Sequence, residues 1–123
     1  MIKKLTAVIA DIDGTLVEKG EMMMPLTQQA LEILHEHGVV LGLATGRKIN
    51  AAIHNKHQVW GLSFPFDIYS GMNGGQLEDC FHEGIEECYK LSTELMHEIL
   101  DLAKWLDVTY MIYEEVPMVA TRI

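Results

Sequence analysis

Ala7-Val8-Ile9-Ala10-Asp11-Ile12-Asp13-Gly14-Thr15-Leu16-Val17 is the stretch on which the reading of this chain turns. An uncharged apolar run stops at two aspartates spaced two apart, then meets a Gly-Thr pair. Alternate residues of a strand project to one face, so the run predicts a strand ending in a pair of carboxylates. Gly14 relaxes the steric limits on φ and ψ and lets the chain leave the strand sharply. The carboxyl end of a buried strand is where open α/β sheets place their ligands. Two acids there, with no basic residue between them, suit a hard cation or a nucleophile paired with an acid/base group. The plainer alternative is a strand followed by an Asp-Gly turn. Polar clusters at the next two strand ends weigh against it.

Outward from this stretch the elements alternate. Leu5 to Ala10 reads as the first strand. Pro25 and Thr27 mark a helix start with Thr27 as N-cap, Ala30, Leu31 and Leu34 supply its apolar stripe, and Gly38 ends it. Val39 to Ala44 is a second strand without alternation, as in a parallel sheet covered on both faces. A second helix is expected from about Arg47 to Val59, and a third strand from Phe66 to Met72. This β-α-β-α-β order predicts an α/β fold, a partial doubly wound parallel sheet with a Rossmann-like core, over residues 1–75. Residues 76–123 read as a hairpin and a partial α/β cap segment. Gln76 to Leu91 forms the hairpin around Glu83-Gly84, and Ser92 caps a helix ending near Trp105. Strands follow at Val108 to Tyr113 and at Val116 to Thr121, with Pro117 at an edge or bend.

Composition bounds the function. The chain has 123 residues, 49% of them hydrophobic, enough for one packed domain. Its net charge of −9 argues against nucleic acid, whose phosphates need a basic face. A small phosphorylated partner stays open, because a metal supplies local positive charge. No apolar stretch is long enough for a membrane span. Met1-Ile2-Lys3-Lys4 has the basic start of a signal peptide, but the following run is short and reaches Asp11 without a cleavage site. A cytoplasmic protein is expected, with Cys80 and Cys88 as free thiols, although a bridge across the hairpin is conceivable. His35, His37, His54 and His57 read as surface histidines rather than a metal site. Met22-Met23-Met24 reads as an adaptable loop or contact surface.

Ala44-Thr45-Gly46-Arg47 closes the second strand and is expected to open the second helix. Hydroxyl, backbone N–H groups and helix N-terminus would together hold an anion, with Arg47 binding an oxyanion or orienting an acid. Asn73-Gly74-Gly75 closes the third strand, where an amide holds a substrate hydroxyl or simply makes a turn.

With these residues in place, Asp11-Ile12-Asp13-Gly14-Thr15-Leu16 resembles the first motif of the haloacid dehalogenase superfamily, whose phosphatases carry a DxDGT signature. Ala44-Thr45-Gly46-Arg47 is similar to the second motif of its Cof-like sugar-phosphatase branch, and Asn73-Gly74-Gly75 resembles the NG element before that branch's cap. The resemblance runs from about Leu5 to Tyr113. It implies that Asp11 is a nucleophile forming an aspartyl-phosphate and that Asp13 is general acid and then base. It implies a Mg²⁺ ion held by Asp11 and Asp13, the latter through its backbone carbonyl. Gly14, Thr15, Thr45, Gly46, Arg47, Asn73 and Gly74 would hold phosphoryl group and substrate, a small phosphorylated metabolite of the sugar-phosphate class. The family's later lysine and its acidic Gly-Asp motif have no counterpart here. Lys90 and Lys104 do not fit the lysine, and Glu114-Glu115 reads as a solvated turn. The expectation is therefore a truncated phosphatase, or a catalytically silent binding or oligomerisation module, joined as a homodimer or higher oligomer through an exposed sheet edge.

Overall fold

The computed structural model describes residues 4–18, 22–112 and 119–122. The chain separates into two compact units, Met1–Tyr89 and Lys90–Ile123.

The first unit is built on a five-stranded sheet in the order β1-β2-β3-β4-β5. β1 (Ala7–Asp11) runs parallel to β2 (Val40–Ala44) with Ile9 opposite Gly42, and β2 runs parallel to β3 (Ile68–Gly71) with Leu43 opposite Tyr69. β4 (Gln76–Asp79) and β5 (Glu86–Glu87) then add antiparallel strands. The first three strands advance in one direction across the sheet. Right-handed crossovers therefore put both helical connections on the same face. This is one wound half of a doubly wound sheet. The core lies on that face, where Val8, Ala10, Leu41, Leu43 and Tyr69 pack with Leu31, Ile53, Trp60, Phe64 and Phe66. On the opposite face Ile9 and Leu77 are exposed.

Helix α1 (Pro25–Glu36) starts three positions earlier than a Thr27 cap requires. Met24 is its N-cap without a side-chain hydrogen bond, and Pro25 opens the first turn. Proline is suited to that place because its missing N–H would have no intrahelical partner. Thr27 lies inside the helix. The C-terminus closes as expected on Gly38, in the left-handed region at φ 70°. The Gly38 N–H donates to the His35 carbonyl (2.9 Å) and the Val39 N–H to the Leu34 carbonyl (3.1 Å), which satisfies the last carbonyls of the helix.

The expected helix from Arg47 to Val59 is instead two short helices, α2 (Ala51–His54) and α3 (Lys56–Val59). Asn50 caps the first through its Oδ1, which accepts the Ile53 N–H at 3.1 Å, and Asn55 separates the two. Asparagine competes with helical bonding through its own side chain, as Asn50 does here, whereas Asn55 makes no side-chain cap bond.

The sequence reading ends the core at residue 75, but β4 is bonded along its whole length to β3, so the hairpin belongs to the first unit. The register sets Gln76 opposite Glu87. That alignment puts Cys80 and Cys88 towards opposite ends of the hairpin, and both are free thiols.

The second unit contains α4 (Thr93–Ala103), capped as expected by Ser92, whose Oγ accepts the Leu95 N–H at 3.1 Å. It also contains an antiparallel pair, β6 (Thr109–Ile112) and β7 (Val119–Arg122). Met1, Ile2 and Lys3, and the turn and bend expected at Glu114, Glu115, Val116 and Pro117, lie outside the described residues.

Candidate functional site

Asp11 is the last residue of β1, opposite Ala44 at the end of β2. Beyond it the chain folds into a tight turn. The Ile12 carbonyl accepts the N–H groups of Leu16 and Val17 (3.1 Å each), and the Gly14 N–H donates to the Val17 carbonyl at 2.8 Å. Gly14 has φ 84°, a value a side chain strains to adopt. Ile12, Leu16 and Val17 are buried and anchor the turn, while Asp11, Asp13, Gly14 and Thr15 stay exposed. Apolar residues thus fix the backbone, and the carboxylates project from a pinned support.

Arg47 reaches across to Asp13. Its Nε donates to Oδ2 at 3.2 Å and its Nη2 to Oδ1 at 2.6 Å, a two-pronged contact between residues far apart in sequence. Both side chains keep substantial solvent contact (40% and 59% exposed), so the pair contributes little to stability. Its effect is positional, since the planar guanidinium fixes the carboxylate's orientation.

Thr45 is buried. Its hydroxyl oxygen accepts the Arg47 N–H at 3.1 Å, forming a local turn rather than a helix cap. The helix-terminus component of the expected anion site is not formed: α2 begins only at Ala51, and its four residues carry little dipole. The loop is held by β3 and the turn after it. The Thr45 N–H donates to Ser70 (2.8 Å), the Met72 N–H to Arg47 (2.9 Å) and the Asn73 N–H to Thr45 (3.2 Å), all through backbone carbonyls. Asn73 is left-handed at φ 54°, and its Oδ1 lies 3.1 Å from where a Cβ on Gly46 would stand. Gly74 follows at φ 94° and is exposed. The three clusters therefore gather at the carboxyl ends of β1, β2 and β3.

Two supports were not legible. Gln76 is 6% exposed, and its Oε1 accepts the Ile49 N–H at 2.9 Å, holding the Arg47 loop from beneath. Gly71 has no room for a side chain, because a Cβ would sit 2.9 Å from the Arg47 carbonyl and 2.7 Å from Ile49 Cγ1. A lone Gln and a Gly at a strand end carry no motif that announces either role.

For a divalent cation, the Asp11 and Asp13 carboxylates and the backbone oxygens of the turn are hard donors of the type Mg²⁺ takes, with water completing its octahedron. They fit the ion in donor type. Among the described residues no three His, Cys, Asp or Glu side chains cluster closely enough to hold a metal by themselves.

The histidines are occupied structurally. His54 Nε2 lies 2.6 Å from Glu78 Oε2 and its ring meets Tyr69 edge-on, while His35 stacks on Phe64 at 4.0 Å. His54, Phe66, Tyr69 and Glu78 line a cleft of about 380 Å³. Burial pushes the Tyr69 phenol above its ordinary range. Among the described residues no helix is long and apolar enough to cross a membrane.

The family model for haloacid dehalogenase-like hydrolases matches residues 8–123. Among solved structures, the chain is similar to a phosphatase of the haloalkanoate dehalogenase superfamily from Bacteroides thetaiotaomicron at TM-score 0.77 and 18% identity, covering 97% of this chain and 42% of that one. It is similar to a protein described within a phosphoryl-transfer superfamily, at TM-score 0.71 and 26% identity, covering 95% of this chain and 44% of that one. It is also similar to a subclass IIB sugar phosphatase, at TM-score 0.70 and 25% identity, covering 94% and 43%. The chain spans less than half the length of each of these proteins. No curated protein sequence matches it.

Proposed function

The chain belongs to the haloacid dehalogenase-like hydrolases, and from that premise we propose that it is the nucleophile-bearing part of a Mg²⁺-dependent phosphatase acting on a small phosphorylated metabolite. The observation that carries this reading is the pinned turn, which presents Asp11 at a strand end with Asp13 oriented two residues later by Arg47. The likeness to a sugar phosphatase supports the sugar-phosphate class of substrate.

In this reading an Asp11 carboxylate oxygen attacks phosphorus as the bond to the leaving alcohol opens, and Asp13 delivers the proton that alcohol needs. Water then attacks the aspartyl-phosphate, Asp13 takes its proton, and the bond from phosphorus to Asp11 opens to release phosphate. Bound Mg²⁺ would supply charge neutralisation between carboxylate and phosphate, held by Asp11 and the backbone carbonyl of Asp13. Gly14 and Thr15 border the phosphoryl position from the turn. Thr45, Gly46 and Arg47 border it from the second strand end, and Asn73 and Gly74 from the third.

A second reading has one observation in its favour. Both oxygens of Asp13 are engaged by Arg47, which suits a silent module that binds phosphate or metal without turnover. Hydrolysis of p-nitrophenyl phosphate with Mg²⁺ separates the two. The phosphatase reading expects turnover that Asp11→Asn abolishes with the fold retained. An inactive wild-type chain, or equal rates in both proteins, removes it.

A further inference from the structure

Ile49 and Gln76 are both buried, at 3% and 6% exposure, and the bond from the Ile49 N–H to Gln76 Oε1 lies inside the first unit. A helix starting at Arg47 would use the backbone differently. It would send the Ile49 N–H to the Thr45 carbonyl and the Ala51 N–H to the Arg47 carbonyl, four residues back in each case. Those groups are engaged elsewhere. The Thr45 carbonyl accepts the Asn73 N–H, the Arg47 carbonyl accepts the Met72 N–H, and the Ile49 N–H goes to Gln76. These three diversions accompany an irregular path until α2 begins at Ala51. Two of them come from the backbone of the turn after β3. The third comes from one side chain, and a buried N–H deprived of its acceptor is costly.

Gln76 is itself fixed by the sheet, in register with Gly71 of β3 on one side and Glu87 of β5 on the other. A Cβ on Gly71 would stand 3.1 Å from the Ile49 nitrogen, so its absence lets the segment cross the end of β3 within reach of Gln76. Two residues before Ile49, Arg47 places its fork on Asp13. A long side chain takes its starting point and direction from the backbone beneath it. We infer that Gln76 is a positioning residue: by accepting the Ile49 N–H it keeps residues 47–49 out of the helix and sets Arg47 so that its fork orients Asp13. The consequence for turnover rests on the phosphatase reading, in which Asp13 moves the proton. A group with that task must be held to within about 0.5 Å.

One arm of the test needs no turnover. In NMR spectra of the whole chain, Gln76→Leu keeps a similar volume and removes the acceptor. It should move the Arg47 Nε–Hε signal and speed exchange of the Ile49 amide by about tenfold or more. Gln76→Glu keeps an acceptor oxygen at the same reach and should leave both close to wild type. Circular dichroism checks that each variant folds, and Gln76→Met is the acceptor-free variant to use where the leucine one does not. An unmoved Arg47 signal in the acceptor-free variant overturns the inference. So does an equal displacement in Gln76→Glu, which would assign the effect to packing rather than to the accepted bond.

The other arm is hydrolysis of p-nitrophenyl phosphate with Mg²⁺. Gln76→Leu should lower kcat by about tenfold or more, and Gln76→Glu should restore most of it. In an Arg47→Leu background, Gln76→Leu should cost less than about twofold further, because the route through Arg47 is already cut. A full additive loss in that background means that Gln76 acts by another route, and overturns the inference. A wild-type chain without turnover removes the phosphatase reading alone, and the Arg47 signal still decides the role of Gln76.

Discussion

β1 and β2 are nearly interchangeable as sequence, one reading Ala-Val-Ile-Ala-Asp and the other Val-Leu-Gly-Leu-Ala, yet they occupy different environments. The three central residues of β2 are buried, whereas β1 alternates between exposed and half-buried positions. Leu43 is 0% exposed and Ile9 is 53% exposed. The difference comes from neighbours. Among the described residues β2 has a strand on each side, while β1 pairs with one strand and leaves Ile9 exposed. An apolar run therefore reports what a strand is able to bury, not what it buries.

The largest expected contrast follows directly. Leu43→Ala should destabilise the first unit by about 2–5 kcal/mol, because it removes packed atoms and leaves a cavity. Ile9→Ala should cost under about 1 kcal/mol, since half of that side chain is already in water. Urea unfolding of the two variants measures both, and equal losses would show that β1 is covered after all.

A smaller effect probes how the inner strand supports the site. Gly71→Ala should cost roughly 1–3 kcal/mol by overpacking against the Arg47 carbonyl and Ile49. It should also displace the Arg47 resonances that report contact with Asp13. An unperturbed Arg47 side chain in the NMR spectrum would mean the loop yields without cost.

The smallest effect concerns the covered side of the sheet. The Ser63 N–H and hydroxyl donate to the two oxygens of Glu32, at 2.7 and 2.6 Å, joining α1 to the loop before β3. The Ser63 hydroxyl is the largest of the three causes that hold the Glu32 carboxyl below its ordinary range, ahead of the Ser63 N–H and the charge of His35. Ionised Glu32 thus stabilises the fold above the ordinary glutamate pKa, and this contribution is lost as pH falls through the lowered value. The pair is exposed, so the slope is shallow. Glu32→Gln should flatten that part of the acid limb in a pH series of melting temperatures, and an unchanged limb would assign it to other carboxylates.

Much of this was legible locally. Gly38 closes α1 and Ser92 opens α4 because each acts through bonds within a few residues. The Asp11–Thr15 turn is readable for the same reason. What escaped depends on distant partners. The start of α2 moved to Ala51 because residues 45–47 bond to the segment 70–73 instead of coiling. The core boundary moved to Tyr89 because β4 found β3. The Arg47 fork on Asp13 joins residues that sequence places in separate motifs.

The backbone ties between residues 45–47 and 70–73 have a mechanical consequence. Three loops would have three independent motions, but two of these are stitched into one plate. The pinned turn after β1 is tied to this plate by the Arg47–Asp13 pair. A competing anion that drew Arg47 away would break that tie and leave the backbone bonds of the plate in place.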